Sequence, residues 1–389
     1  MRRCAIIYAL LCALAAVSCK KMPGQHAEAI EFVSPQIHTK SELITDKTQM
    51  KSGDEELAYG VFGARYIPGD DSKITKHEQF IDNLKVSSDL SGDTWNYTGN
   101  RYYWSPGAVH KFFAVYPYYN DDHDDTTHED DAYDLGISYE INDAKHALQV
   151  TGKHVVPGEA NQLIICTGTD ANGKNHLTPD ILYGVSKYSD PYKVGENRGP
   201  VVFNMSHAFA AVTFRFRNAT DYTISSIHTY TDLDNPTSSS RINMKLTGLK
   251  NAADHVFLSE DGAEWSEEMY SLPDHDFVVP KVNNMINPGS FYPVGDGTGT
   301  PTDWYTALVI PQDFAKEDPS FTFFVDMGTG GEKKYKINLK DYPVHAAADK
   351  AYTFLPGERY IYTFNVTANK VLCDLSIVPW IEDEPIHLN

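Results

Sequence analysis

Cysteines, histidines and clustered carboxylates are the side chains with which this chain could hold a metal, attack a substrate or accept a lipid. Five cysteines occur: Cys4, Cys12, Cys19, Cys166 and Cys373. None stands in the paired CxxC spacing of a zinc site, and the set is neither even nor dense enough for a disulfide framework. Cys166 in LIICTG and Cys373 in VLCDLSI lie among apolar residues of strand type, where a thiol acts as inert packing. Residues 120–131, NDDHDDTTHEDD, offer oxygen ligands for a hard cation and His123 and His128 for a softer one. They lack the glycine and closing glutamate of an EF-hand loop, and carboxylates so crowded repel one another into a solvated loop. No metal is expected there. The sequence has no GxSxG elbow, no HExxH pair and no GxxxxGK[ST] loop. None of its 53 acidic residues is singled out as a glycosidase pair. His207 in FNMSHAFAAV reads as a hydrogen-bonded core or interface histidine. The expectation is a non-enzyme without cofactors.

Cys19 is different, because a run of small apolar residues precedes it and two lysines follow. Arg2 and Arg3 give a short positive start, and residues 5–17 are apolar but too short for a stable bilayer span, which together read as an export signal over 1–18. Ala16-Val17-Ser18-Cys19 resembles the lipobox of bacterial lipoproteins, although Ala16 stands where leucine is usual and Leu14 lies further back. The resemblance implies an acylated Cys19 as the new N-terminus. Each buried methylene of such a chain adds roughly 0.8 kcal/mol of membrane affinity.

Thirty-three basic residues face 53 acidic ones, a formal charge of -20, and no basic stripe interrupts the acidity. A phosphate backbone would be repelled, so nucleic acid is excluded as a partner. The length of 389 residues suits two domains. Runs of Tyr, Thr, Val and Phe broken by Gly, Pro and Asn predict strands. Residues 19–28 read as a tether, 29–33 as the first strand and 57–69 as another. Residues 94–107 read as a hairpin turning at Thr98-Gly99-Asn100, and 110–120 as a strand ending near Pro117. Further strands are predicted within 201–218, 304–312, 320–328, 360–368 and 371–380, and residues 78–84 read as one short helical turn. The polar stretch 190–200, with two prolines and two glycines, marks the boundary between domains at 29–195 and 196–389. Most of the 24 Tyr and 18 Phe are then core residues. Trp95, Tyr97, Tyr102, Tyr103 and Trp104 could stack on sugar rings, but their alternation favours packing.

Taken in order, Tyr59-Gly60-Val61-Phe62-Gly63, Trp95-Asn96-Tyr97, Tyr103-Trp104 and Phe112-Phe113-Ala114-Val115-Tyr116-Pro117 form a recognisable series. It continues through Asp180-Ile181-Leu182-Tyr183-Gly184, Ser206-His207-Ala208-Phe209, Ile310-Pro311-Gln312, Pro356-Gly357-Glu358-Arg359-Tyr360 and Val378-Pro379-Trp380. With the lipobox, these residues resemble the fimbrillins and fimbrillin-like lipoproteins, subunits of type V pili, from about residue 30 to 380. The resemblance implies an all-β chain of two tandem transthyretin-like antiparallel β-sandwich domains on the outer membrane or in a fimbrium. It implies a first strand removed by a protease and replaced by a strand from the next subunit. On this chain the cut would fall between residues 38 and 56, at Lys40, Lys47 or Lys51, since that stretch holds no arginine. The implied partners are other pilus subunits by donor-strand exchange, outer-membrane lipid through acylated Cys19, and a surface receptor or glycan. A surface glycan-binding lipoprotein of a nutrient-uptake system is the alternative from another class.

Overall fold

The computed structural model describes residues 27–37, 56–68, 78–89, 94–118, 137–152, 154–155, 162–165, 180–231, 233, 241–272, 277–279, 282, 285–292 and 305–379. Cys19, Lys40, Lys47, Lys51, Cys166 and the acidic loop 120–131 lie outside them. The described chain is all-β and mostly antiparallel, and its helical content is two single 3-10 turns, Gly328–Gly330 and Leu339–Asp341.

A six-stranded sheet organises the first half. Its order is Gln36–Ile37, Asn204–His207, Leu182–Val185, Val109–Tyr116, Glu56–Tyr66, Glu78–Asp89. This sheet is covered on both faces, which is why Val109–Tyr116 is buried nearly throughout instead of alternating. Phe112 and Ala114 point to a cluster with Leu57, Tyr59, Val61, Phe203 and Met205. Phe113 and Val115 point the other way, into a larger cluster that also contains Phe62, Leu148 and Val150.

That second face carries strands from both halves of the chain. Ala147–Gly152 pairs with Ile137–Asn142 and with His255–Ser259, while Gln162–Ile165 pairs with Ala252–Ala253. Gly152 stands where the backbone turns from one of these sheets to the other, and a Cβ added there would lie 1.7 Å from the Leu163 carbonyl oxygen. Asn204–His207 likewise joins the first-half sheet from beyond residue 200.

The remainder is a sandwich. Ala210–Asn218 pairs in parallel with Glu358–Val366 over eight positions, and Val371–Pro379 closes that sheet. The facing sheet is ordered Arg241–Ile242, Ser226–Tyr230, Ser320–Asp326, Glu332–Asn338. Alternate residues of the two sheets meet: Phe214 lies 5.2 Å from Phe321, Phe216 5.6 Å from Phe323, and Phe364 5.2 Å from Phe321, ring centre to ring centre. Such offset aromatic pairs add about 0.5–1.5 kcal/mol each beyond their buried area.

Three local expectations are corrected. Residues 78–84 are not helical but begin the strand Glu78–Asp89, whose Ile81, Val86 and Ser88 are buried while it pairs along Glu56–Tyr66. Residues 94–107 are not a hairpin. Asn96 bridges Ser87 and Tyr103 bridges Ala29, so the two aromatic runs bind different partners on either side of the bend at Gly99. Residues 29–33 form two isolated bridges, at Ala29 and Phe32, and the regular pairing comes only at Gln36–Ile37.

Candidate functional site

Residues 27–37 run as an extended guest against the six-stranded sheet, and the geometry of this seat is the candidate site. On one side, Ile30 N–H donates to the Tyr102 carbonyl at 2.9 Å and Trp104 N–H donates to the Glu28 carbonyl at 3.0 Å. On the other, Val201 N–H donates to the Glu31 carbonyl at 2.8 Å and Gln36 N–H to the Phe203 carbonyl at 2.9 Å. Successive backbone groups of an extended chain point in opposite directions, so one strand satisfies both borders.

Period two also divides the side chains. Ile30 and Phe32 point inward and are completely or almost completely buried, whereas Glu31 is exposed. Phe32 meets Phe112 edge-on at 5.6 Å, lies stacked on Phe203 at 6.1 Å and tilts against Tyr97 at 5.9 Å. Burying two such side chains stabilises the seated state by roughly 1.5–3 kcal/mol each. Two phenols tie the guest backbone from below. Tyr97 donates to the Ile30 carbonyl and Tyr59 to the Val33 carbonyl, each at 2.8 Å. Burial raises both phenol pKa values, so both hydroxyls remain donors at ordinary pH.

The stretch 190–200 has an unexpected part in this. Tyr192 is buried, exchanges backbone hydrogen bonds with Gly107 and Ala108, and accepts from Glu28 N–H through its hydroxyl at 3.1 Å. Arg198 N–H donates to Glu28 Oε2 at 2.8 Å and Gly199 N–H to Oε1 at 3.3 Å. Gly199 has a φ of 64°, left-handed backbone that glycine adopts at low cost and that turns consecutive N–H groups toward one point. The Arg198 guanidinium stays inside the loop, donating to the Asp190 carbonyl and to Glu196. Sequence reasoning found the glycines and prolines here but not their purpose. The signal available was an acid, Glu28, at the head of an alternating strand and in phase with its apolar Ile30 and Phe32.

Beneath Trp104 lies His110, fully buried, its ring centre 5.0 Å from the indole and its Nε2 accepting from Ser105 N–H. Burial, then the Arg65 charge, lowers its pKa to about 4, so it is neutral at physiological pH.

The remaining candidates occupy structural positions. His207 Nδ1 lies 2.8 Å from Asp180 Oδ2 with both side chains almost fully buried. Cys373 sits half-buried in the strand Val371–Pro379, where burial pushes its thiol up to about 12 and suppresses the reactive thiolate. Trp95 and Trp104 are buried, Tyr97 and Tyr102 pack against the seat, and of this group Tyr103 alone is largely exposed. Among the described residues no three His, Cys, Asp or Glu side chains gather as a metal would require.

Comparison with known proteins places the fold. The structure is similar to the crystal structure of a fimbrial protein from Bacteroides vulgatus, with 16% identity, 90% of this chain and 99% of that chain covered, and a TM-score of 0.54. A fimbrial assembly protein from Parabacteroides distasonis gives 12% identity, 91% and 99% coverage and a TM-score of 0.38. No curated protein matches the chain. Residues 54–380 match the family described as fimbrillin-like. That span contains every residue that borders the seat and begins after the guest strand. The chain belongs to the fimbrillin-like family.

Proposed function

We propose that the protein is a cell-surface pilus subunit or pilus-associated adhesin, without enzymatic activity, that assembles by exchanging the strand at residues 27–37. One observation carries this reading: the guest is bound on both borders and by buried side chains, yet its hydrogen-bond partners lie 26 to 171 residues away in sequence. Removing it would leave the Trp104 and Val201 N–H groups and the Tyr102 and Phe203 carbonyls unpaired beside an apolar groove. A strand from another subunit supplies both requirements, because it brings the same alternating backbone and side-chain pattern.

In this reading the export signal ends at Ser18, acylated Cys19 anchors the chain to the outer membrane, and residues 19–28 form the tether. Proteolysis at Lys40, Lys47 or Lys51 separates lipid and guest strand from the body. The two domains, divided at 190–200, are transthyretin-like. The fimbrial protein whose fold this chain resembles supports the assignment at the level of fold. Limited trypsin digestion tests it. The expected outcome is loss of the N-terminal segment followed by heat-labile, SDS-resistant oligomers, and a trimmed chain that stays monomeric would contradict it. Radiolabelled palmitate should mark the parent chain and fail to mark Cys19→Ala.

A further inference from the structure

We infer that the end of the sandwich remote from its junction with the six-stranded sheet carries a carbohydrate platform, built on the Tyr222 ring and suited to an uncharged glycan. This rests on the adhesin half of the reading above and makes no use of strand exchange.

Ala210–Asn218 follows Asn204–His207 of the six-stranded sheet, and its nine residues end about 30 Å from that junction. Turns from several strands gather there. Residues 219–225 are tied down by Ala219 N–H, which donates to the Val366 carbonyl at 2.8 Å, and by Ser225 N–H, which donates to the Asp326 carbonyl at 2.7 Å. Residues 285–290 join them through Gly289 N–H on the Asn218 carbonyl and a bridge between Ile224 and Ile286. The turn Gly328–Gly330 links Ser320–Asp326 to Glu332–Asn338.

Among the described residues two tyrosines are largely exposed, Tyr103 and Tyr222, and Tyr103 is engaged with the guest at Ala29. Tyr222 is 45% exposed although its ring is braced. A Cβ added to Gly330 would lie 3.3 Å from two of its ring carbons and 3.0 Å from Met327 Cβ, so glycine there lets the turn cover one side of the ring. The backbone beneath is locked. Asn218, fully buried, donates through Nδ2 to the Tyr222 and Ile286 carbonyls at 2.7 Å, and Thr220 Oγ1 accepts from Tyr222 N–H at 3.0 Å. A ring fixed before binding loses little freedom on binding.

Such a ring offers its negative π-face to the partly positive C–H groups of a pyranose. Charge selects among sugars. In a chain with 53 acidic and 33 basic residues, the segments 219–225, 285–290 and 328–330 hold one charged side chain, Asp221. An anionic glycan meets repulsion there and no cation, whereas a neutral one meets neither. Exposed Asn287 and Thr329 add uncharged donors and acceptors for hydroxyl groups. A protein partner needs a central group of aromatic and arginine anchors, and these segments supply a single aromatic ring.

Biolayer interferometry of the intact, uncut chain tests the platform. The probes are immobilised yeast mannan, laminarin, dextran and galactan, with heparin and alginate as anionic glycans and gelatin as a polypeptide. Saturable binding to at least one neutral glycan is expected. Tyr222→Ala should weaken it about tenfold or more, Gly330→Ala should weaken it by displacing the ring, and Tyr222→Phe should match the parent. Absence of binding to every neutral glycan, equal binding by Tyr222→Ala, or equal loss in Tyr222→Phe and Tyr222→Ala would overturn the platform. Tyr222-dependent binding of heparin, alginate or gelatin instead would overturn the choice of ligand. None of these results touches the oligomers released by trypsin, whose loss is the separate mark of a failure of strand exchange.

Discussion

Two sheet edges of this molecule solve the same problem in opposite ways. The strand Val371–Pro379 closes its sheet through nine consecutive pairs with Glu358–Val366, its immediate neighbour in sequence, across a turn at residues 367–370. Its Val371, Cys373, Leu375 and Ile377 pack on the large cluster. The guest at 27–37 has two isolated bridges and a two-residue ladder, and relies instead on Ile30, Phe32 and the Glu28 carboxylate. A local hairpin closes at little entropic cost, whereas a guest paired to distant segments carries a larger loop-closure cost. The first edge belongs to the body, and the second is attached at a few points that a replacement strand could reproduce.

Substitutions that separate the two regions sharpen this contrast. The largest effect is expected from Phe364→Ala, which removes a ring packed against Phe214, Phe216, Phe321 and Phe323. Global stability should fall by roughly 3–5 kcal/mol in denaturant titrations. Phe32→Ala removes a ring of the same size from the seat, and about 3 kcal/mol of local stability should be lost there. Hydrogen exchange should accelerate across 28–37 and Asn204–His207 while the sandwich midpoint moves little. If both variants lower one global midpoint equally, guest and body are a single cooperative unit and the contrast fails.

Acid should act on the guest side. His110 has a folded pKa of about 4, below its unfolded value near 6.5, so the unfolded chain binds the proton more readily. Its contribution to stability is complete above about pH 6.5 and is lost as pH falls toward 4. Amide exchange at Trp104 and Ile30 should therefore quicken across that window, and His110→Phe should flatten the dependence. The smallest effect is expected from Tyr97→Phe, which deletes one hydroxyl bond to the Ile30 carbonyl. About 1 kcal/mol of seat stability should be lost, with the global midpoint unchanged.

The sequence made the sandwich legible because alternation and aromatic content are properties of single strands. The runs around Ala210–Asn218, Tyr305–Val309, Ser320–Asp326 and Val371–Pro379 needed no partner to be recognised as strands. What stayed hidden was pairing between distant segments. Asn96 and Tyr103 lie either side of a plausible turn, yet each bonds a strand from elsewhere. Glu78–Asp89 looked helical at its polar start, and its ladder with Glu56–Tyr66 overrides that weak local preference. The residues that grip Glu28 are backbone amides, which carry no side-chain signature beyond the glycine at 199.

The central claim is that residues 27–37 are a replaceable guest, and isotope-labelled peptide exchange followed by native mass spectrometry tests it most directly. Once the chain is cut between 38 and 55, an excess of labelled 27–37 peptide should displace the resident segment one for one, while the uncut chain takes up no label. A fully cut chain that retains its own segment indefinitely, or an uncut chain that binds the peptide equally well, would contradict the account.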